Sequence, residues 1–524
     1  MLTAKHTKRI LAGFLLHCSF LVPATQADEQ RLVIADARGD WGQLAPYLHM
    51  ARGPGYVYTS FLFDTLVWKD EEGNLKPLLA KQWSSDKDQR CHHFSLDDRA
   101  RWHDGEPVNA EDVIFTLEYA QEHRYRFVDV SGIDTVSSNG NKVSICLQSP
   151  DALFVEHVAG SLPILPRHVY AEVNDPQRFT NPKALTGSGP YRLTDYNRAQ
   201  GFYHLSRHDN WHLGKPRYQN VIINRLSPHA AAAAMRDGHV DVMSIPQEFV
   251  DLFRNAGADI LQTASNHPYR LLFNHSDRFV DKVARHGVAR AIDRAQLVGL
   301  AFHGHALPAR PAYRQEGSLD GLDLYAFDPE LATVQLQAAG WTRLPDGRWA
   351  DASGQPIHLK LIASPTSERL AKVLAHQLTE FGFRLSIALL QDVPLTKALQ
   401  QKDFDLALLS QSHQGNPDRF RTLLSSNQGR GDQYLKNTEL IQLLELMRYQ
   451  LSSDQRESMM MHAERLYNED LPSLPLVNPV NFAAQRPDSG AAFTPGGIAM
   501  GVPLPFNKLA LFRSEKTSES TNTQ

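Results

Sequence analysis

The side chains with the most chemistry to offer in this sequence are its 23 histidines. Imidazole ligates nickel, copper and zinc, but these histidines are scattered, and only His92-His93 and His303-Gly304-His305 fall close together. Neighbours in a strand point to opposite faces, so the first pair does not converge on one ion. The second pair sits in a glycine-containing loop, which reads as a surface turn capable of weak chelation at most. Signatures of turnover are missing: there is no His-Glu-x-x-His, no Gly-x-Ser-x-Gly, no Gly-x4-Gly-Lys-Ser/Thr and no Cys-x-x-Cys. Gly53-Pro54-Gly55 lacks the third glycine of a dinucleotide fingerprint. The expectation is a protein that is not an enzyme, with no cofactor and no resident metal.

What remains is recognition, and the middle of the chain shows where it belongs. Ile357 to Ile362 reads as a strand, Ser367 to Phe381 as an amphipathic helix stopped by Gly382, and Phe383 to Leu389 as a second strand. Phe404 to Leu409 follows as a third strand without alternation, the pattern of burial on both faces. Ligands of open α/β sheets sit outside the carboxyl ends of the strands, so two loops are singled out. Loop 363–369 ends in Arg369, a cation in a first helical turn, which opposes the helix dipole and calls for a nearby anion. Loop 410–420 offers His413, Gln414, Asp418 and Arg419, His413 being the best single candidate for a metal contact.

The surrounding elements are of mixed type. Residues 31–185 read as strands and turns around one clear helix, capped by Asn109 and carrying Val113, Ile114, Leu117 and Ala120 on one face. Beyond them come a strand at 221–223, a helix at 230–236 and a strand at 240–242. Two helices at 438–451 and 454–467 precede a strand-like Leu474-Pro475-Leu476-Val477. The chain is of the α/β class. At 524 residues it holds about three domains' worth of sequence.

The N-terminus reads as a secretion signal: Lys5, Lys8 and Arg9 precede an apolar run from Ile10 to Val22, then Ala24-Thr25-Gln26-Ala27. That run is shorter than the roughly 20 residues a spanning helix needs, so cleavage after residue 27 and a free periplasmic protein are expected. Cys91 and Cys146 then remain, each in a strand-like segment. An oxidising compartment allows them to pair, and two free thiols are the alternative. A net charge of -4 and 42% hydrophobic residues describe a globular protein without the basic surface that nucleic-acid binding needs. The polar tail, 514–524, reads as disordered.

Several segments together resemble the family 5 extracellular solute-binding proteins of ABC importers, a group that includes dipeptide-, oligopeptide-, haem- and nickel-binding members. They are Leu79-Ala80-Lys81-Gln82-Trp83, Phe94-Ser95-Leu96, Trp102-His103-Asp104-Gly105-Glu106-Pro107 with Ala110-Glu111-Asp112-Val113, Thr186-Gly187-Ser188-Gly189-Pro190-Tyr191, Asp237-Gly238, Phe327-Asp328-Pro329-Glu330 and Asp470-Leu471-Pro472. The resemblance implies a type II periplasmic-binding fold. Lobe one would be 28–274 plus 479–513, with an extra subdomain at about 60–185, lobe two would be 275–478, and two crossing strands would form the hinge. It implies a peptide or peptide-like ligand, or alternatively a metal chelate, handed as a monomer to an inner-membrane permease and its ATPase. Presentation of the ligand to a chemoreceptor without transport is a further alternative.

The resemblance also makes Arg369 similar to an arginine that pairs with a peptide carboxylate, and Tyr56 similar to a residue of the cleft wall, with core packing as the alternative. This chain departs from the peptide-binding pattern at Gln411, roughly where relatives carry tryptophan, and at His413 or Gln414, where they carry an aspartate. Glu118 and Leu162 stand about where the nickel-binding relatives use basic residues.

Overall fold

A computed structural model describes residues 31–49, 53–265, 267–275, 278–312, 318–410, 437–447, 449–450, 452–499 and 501–513. Lobe one is built on β1 (Arg31–Asp36), β2 (Asn220–Arg225), β3 (Val242–Ile245) and β4 (Asp259–Ala264), with β1 parallel to both β2 and β3. Lobe two is built on β5 (Tyr269–Phe273), β6 (Ala306–Pro308), β7 (His358–Ala363), β8 (Arg384–Leu389) and β9 (Leu406–Ser410), where β7 is parallel to β8 and β9. The strand β10 (Ser473–Gln485) belongs to both. Hydrogen bonding orders the main path β8-β7-β9-β5-β10-β3-β1-β2, which continues through the strands Phe202–Arg207 and Tyr191–Asn197, and β4 and β6 also pair with β10.

β10 corrects the sequence expectation of a four-residue strand at 474–477. Residues 473–477 pair with β5, 477–479 with β6, 480–485 with β4, and 482–485 with β3. Pro475 and Pro479 interrupt its periodicity, and neither can donate to a ladder, so local pattern reading stops short. Four residues join β4 to β5, and Ser265 N–H donates to the Pro479 carbonyl at 2.8 Å. The two crossing chains are therefore hydrogen-bonded to each other as a ribbon.

The predicted βαβ unit is present, its helix running Glu368–Glu380 with Leu370, Ala371, Leu374 and Leu378 buried. Asn109 caps the helix Ala110–Glu122, its side chain accepting from the Glu111 and Asp112 N–H groups. The loop at 186–190 is structural, as its glycines imply: a Cβ on Gly187 would stand 1.9 Å from the Leu62 carbonyl oxygen. Strands Ala80–Ser85, Cys91–Leu96, Lys142–Leu147 and Ile133–Asn139 form a separate sheet in that order. Cys91 and Cys146 lie directly opposite in its ladder and are joined as a disulfide. His92 and His93 diverge as expected, one to Ser85 at 2.7 Å and the other to Ser144 at 2.8 Å.

The last described segment returns to lobe one. Phe506, Leu509, Leu511 and Phe512 pack with Leu32, Ile34, Val57 and Phe61 in one core. Lys508 is fully buried there. Its ammonium donates to Asp64 Oδ1 at 2.5 Å and to the Ser60 carbonyl at 3.1 Å, and sits 4.5 Å from the Trp68 ring centre. Asp64 Oδ2 accepts from the Trp211 indole at 2.9 Å. Burial pulls the Lys508 ammonium below its ordinary range, and Asp64 opposes that shift. Removing one partner of such a pair strands a buried charge, so Lys508→Ala is expected to cost about 3–5 kcal/mol in chemical denaturation. A loss below about 1 kcal/mol would contradict the assignment.

Two half-buried histidines add an acid sensitivity. His103 takes the Gly187 N–H on Nδ1 and donates from Nε2 to Gly189 O, and burial pushes it down to about 3. His275, bonded to the Pro472 carbonyl, is pushed down to about 3 for the same reason. Unfolded imidazole takes a proton near pH 6.5, so between about 6.5 and about 3 the unfolded state binds more protons and folding weakens as pH falls. The melting temperature is expected to drop steadily from about pH 6.5 to about pH 4.5. A flat profile there would refute it.

Candidate ligand-binding site

The register of β10 shows which ends of the two sheets meet. β3 runs from Val242, opposite Gln485, to Ile245, opposite Phe482, and so points at the crossing; β1, parallel to it, ends there too at Asp36. In lobe two, β9 ends at Ser410 opposite Tyr269, and β7 ends alongside at Ala363. The carboxyl ends of both sheets thus converge on Ser265, His267, Pro268, Asn478 and Pro479, and ligands of open α/β sheets sit outside such ends.

Lobe two contributes a cluster of polar side chains. After β7, Ser364 Oγ lies 2.7 Å from Thr366 Oγ1 and 3.0 Å from Ser367 Oγ. Tyr269 lies beneath, its hydroxyl bonded to Ser367; burial raises the phenol above its usual range and that bond opposes the rise. Ser410 Oγ donates to the His267 carbonyl at 3.2 Å. Arg369 is exposed in the first turn of its helix. Its neighbour Glu368 is taken by Lys372 at 2.7 Å, and the guanidinium donates to His303 Nε2. Among the described residues no carboxylate pairs with it. His305 turns away from His303, its ring packing edge-on against Phe482 of lobe one at 5.3 Å. The rings of this His-Gly-His stretch therefore have separate partners, and no group of three or more His, Cys, Asp or Glu poised for a metal occurs among the described residues.

Tyr56 is placed elsewhere than expected. It is only 3% exposed and belongs to the lobe-one core. Its hydroxyl donates to the Ser161 carbonyl at 2.8 Å, a bond that ties the short helix Pro54–Thr59 to the subdomain, so the tyrosine is a core group and not a cleft wall. His413, Gln414, Asp418 and Arg419 lie outside the described residues.

Sequence reasoning overlooked two asparagines on β10. Asn478 Oδ1 and Asn481 Nδ2 are buried without a hydrogen-bond partner, and Asn478 as a whole is 6% exposed. They flank Pro479, where the strand passes from one lobe to the other. An unpaired buried polar atom costs about 1–3 kcal/mol; Gln43, Ser161 and Gln335 carry such atoms elsewhere in the described residues, and these two amides are the ones at the crossing. Two asparagines three apart beside prolines carry no signal in the sequence alone.

Known proteins of this shape are numerous. Residues 74–432 match the family described as bacterial extracellular solute-binding proteins, family 5 middle. A putative ABC transporter peptide-binding protein of Brucella ovis is 26% identical over 56% of this chain, a match that spans only 58% of the Brucella protein's own length. The nickel-binding periplasmic protein of Escherichia coli is 23% identical over 72% of this chain and 74% of its own. The crystal structure of NikA from Brucella suis in complex with Fe(III)-EDTA superposes with a TM-score of 0.78 at 20% identity, covering 91% of this chain and 99% of that one, a likeness of fold. With more than half of its length inside the family match and both lobes of the expected fold in place, the chain belongs to the family 5 bacterial extracellular solute-binding proteins.

Proposed function

We propose that this protein is the substrate-binding component of an ABC importer, capturing a short peptide or peptide-like solute between its lobes and passing it on without altering it. The observation that carries this reading is the convergence of both sets of strand ends on one shared ribbon. A solute held there touches both lobes only when they approach, so its affinity for the closed arrangement exceeds that for the open one, and binding drives closure. The family is one of transport proteins, not of enzymes, and the Brucella relative is described as a peptide-binding protein. The partners on this reading are an inner-membrane permease and its ATPase, which a monomer serves from the periplasm after loss of residues 1–27. The Cys91–Cys146 disulfide fits an oxidising compartment.

A metal chelate is the second reading, favoured by the name of the Escherichia coli relative. A metal wrapped in a carboxylate-bearing chelator is the form for which Arg369 is suited. Native mass spectrometry of protein taken from its own periplasm, with metal analysis, separates the readings: a peptide mass without metal supports the first, and stoichiometric metal with a chelator mass supports the second.

Arg369→Ala is expected to weaken the retained solute by about 1–3 kcal/mol, and an unchanged dissociation constant would remove the arginine from the site. Asn478→Leu is expected to leave the melting temperature of the ligand-free protein unchanged or raised, because it deletes an unpaired polar atom, while reducing the shift that solute produces. A destabilised ligand-free protein with normal solute binding would assign Asn478 a purely structural role.

A further inference from the structure

Two parallel strands of lobe one end side by side. Asp36 closes β1 directly opposite Arg225, which closes β2, and the chain leaves β1 through Ala37, Arg38 and Gly39. Arg38 and Arg225 are both exposed. Each is a cation at a carboxyl end of the sheet, the side on which open α/β sheets hold their ligands.

The carboxylates nearest in the chain are spent elsewhere. Asp36 Oδ1 accepts the backbone N–H groups of Arg38 and Gly39, both at 2.8 Å. Asp36 Oδ2 accepts from the Trp41 indole at 2.9 Å and from the Tyr58 hydroxyl at 3.0 Å. Asp40 takes the Tyr196 hydroxyl at 2.6 Å and the Arg198 Nε at 3.3 Å. Among the described residues, neither the Arg38 nor the Arg225 guanidinium has a hydrogen-bonded or carboxylate partner. Their forked donor edges are left for water or for a solute.

Both side chains are also held in place. The Arg38 guanidinium lies 4.5 Å from the centre of the Trp41 ring. Trp41 is anchored in turn by its indole and by its own N–H, which donates to the Tyr203 hydroxyl at 2.8 Å. The Arg225 stem runs over Gly39, where an added Cβ would meet Arg225 Cβ at 2.6 Å and Cδ at 3.0 Å. Gly201 closes the other side, since its own Cβ would stand 2.8 Å from Gly39 Cα and 3.0 Å from Arg225 Cβ. Through Gly39, Arg38 becomes a neighbour of Arg225 across the sheet. An anion received by such a pair accepts from both forks and relieves the repulsion between them.

We propose that Arg38 and Arg225 form an anion subsite on lobe one, and that the solute is acidic beyond its terminal carboxylate, bearing a side-chain carboxylate or phosphate. The proposal rests on the solute-binding reading and names the class of solute. Guanidinium forks suit either acid because both present paired oxygens. Stacking on Trp41 restricts Arg38 before the solute arrives, which lowers the ordering cost of binding. An amide in the same place carries no charge and offers one oxygen instead of two, so the subsite separates acid from amide.

Two measurements on the full chain test this. In calorimetry, trialanine with one glutamate, placed at each position in turn, is compared with the same peptides carrying glutamine. At one position or more the glutamate peptide is expected to bind about tenfold tighter, as a charge-assisted contact in place of a neutral one implies. Phosphoserine at that position tells which acid is preferred. The preference should disappear in the double variant Arg38→Gln/Arg225→Gln. Equal binding of glutamate and glutamine peptides at all positions, or a preference that survives in the double variant, overturns the subsite and leaves solute binding standing. The second measurement needs no peptide: the Nε–H resonances of Arg38 and Arg225 are followed by NMR as inorganic phosphate is added at constant ionic strength. Both should move along one saturating curve, and Arg225→Gln should flatten the response of Arg38. Movement that does not saturate, or an Arg38 response unchanged by Arg225→Gln, overturns the subsite whatever the solute is. If none of the peptides binds while phosphate saturates as expected, the peptide reading falls and the subsite stands.

Discussion

A single strand that is a member of two sheets is the constraint from which the rest of this architecture follows. β10 is hydrogen-bonded to β5 through one half and to β4 and β3 through the other, so neither lobe completes its sheet without holding an end of a strand that the other lobe also holds. The two halves meet at residues 477–480, where Pro479 cannot donate, and the β5 ladder slips close by, between Tyr269 and Arg270. The same strand sets direction. Because β3 and β9 take their register from it or its partner, the productive ends of both sheets arrive at one place without any loop having to steer them there.

How much of this the sequence reveals depends on the range of the forces involved. The βαβ unit at 358–389 and the capped helix at 110–122 are readable because their determinants, helical spacing of leucines and an Asn-x-x-Asp cap, lie within a few residues. So is the position of Arg369, since a strand followed by a helix defines a loop with a known orientation. The partner of Arg369 is hidden, because His303 is 66 residues away and reaches it only through the packing of two helices. Tyr56 is misplaced for a related reason. An aromatic with a hydroxyl suits a pocket wall and a core equally well, and the deciding group is a carbonyl 105 residues further on. β10 is under-read because proline statistics describe average strands, not one that carries two prolines through a pair of sheets.

Polar groups inside this protein fall into two kinds, and the difference locates the work each does. His103, His275 and Asn507 are fully engaged: each finds backbone or side-chain partners that repay its removal from water. Such groups pin loops that have no regular ladder of their own. Asn478 and Asn481 are not repaid, like Gln43, Ser161 and Gln335 elsewhere in the described residues, and these two stand on the strand that links the lobes.

The Lys508–Asp64 pair bears on how the chain assembles in time. Asp64 enters the lobe-one core early in synthesis, yet its only ammonium partner among the described residues lies near the opposite terminus. Lobe two, by contrast, is drawn mostly from one uninterrupted stretch of the middle. A growing polypeptide can therefore bring much of the second body to maturity while the first still carries an uncompensated anion, waiting for its closing helix. Premature termination even a short way before residue 508 would leave a molecule whose first half is translated in full while Asp64 lacks its ammonium partner.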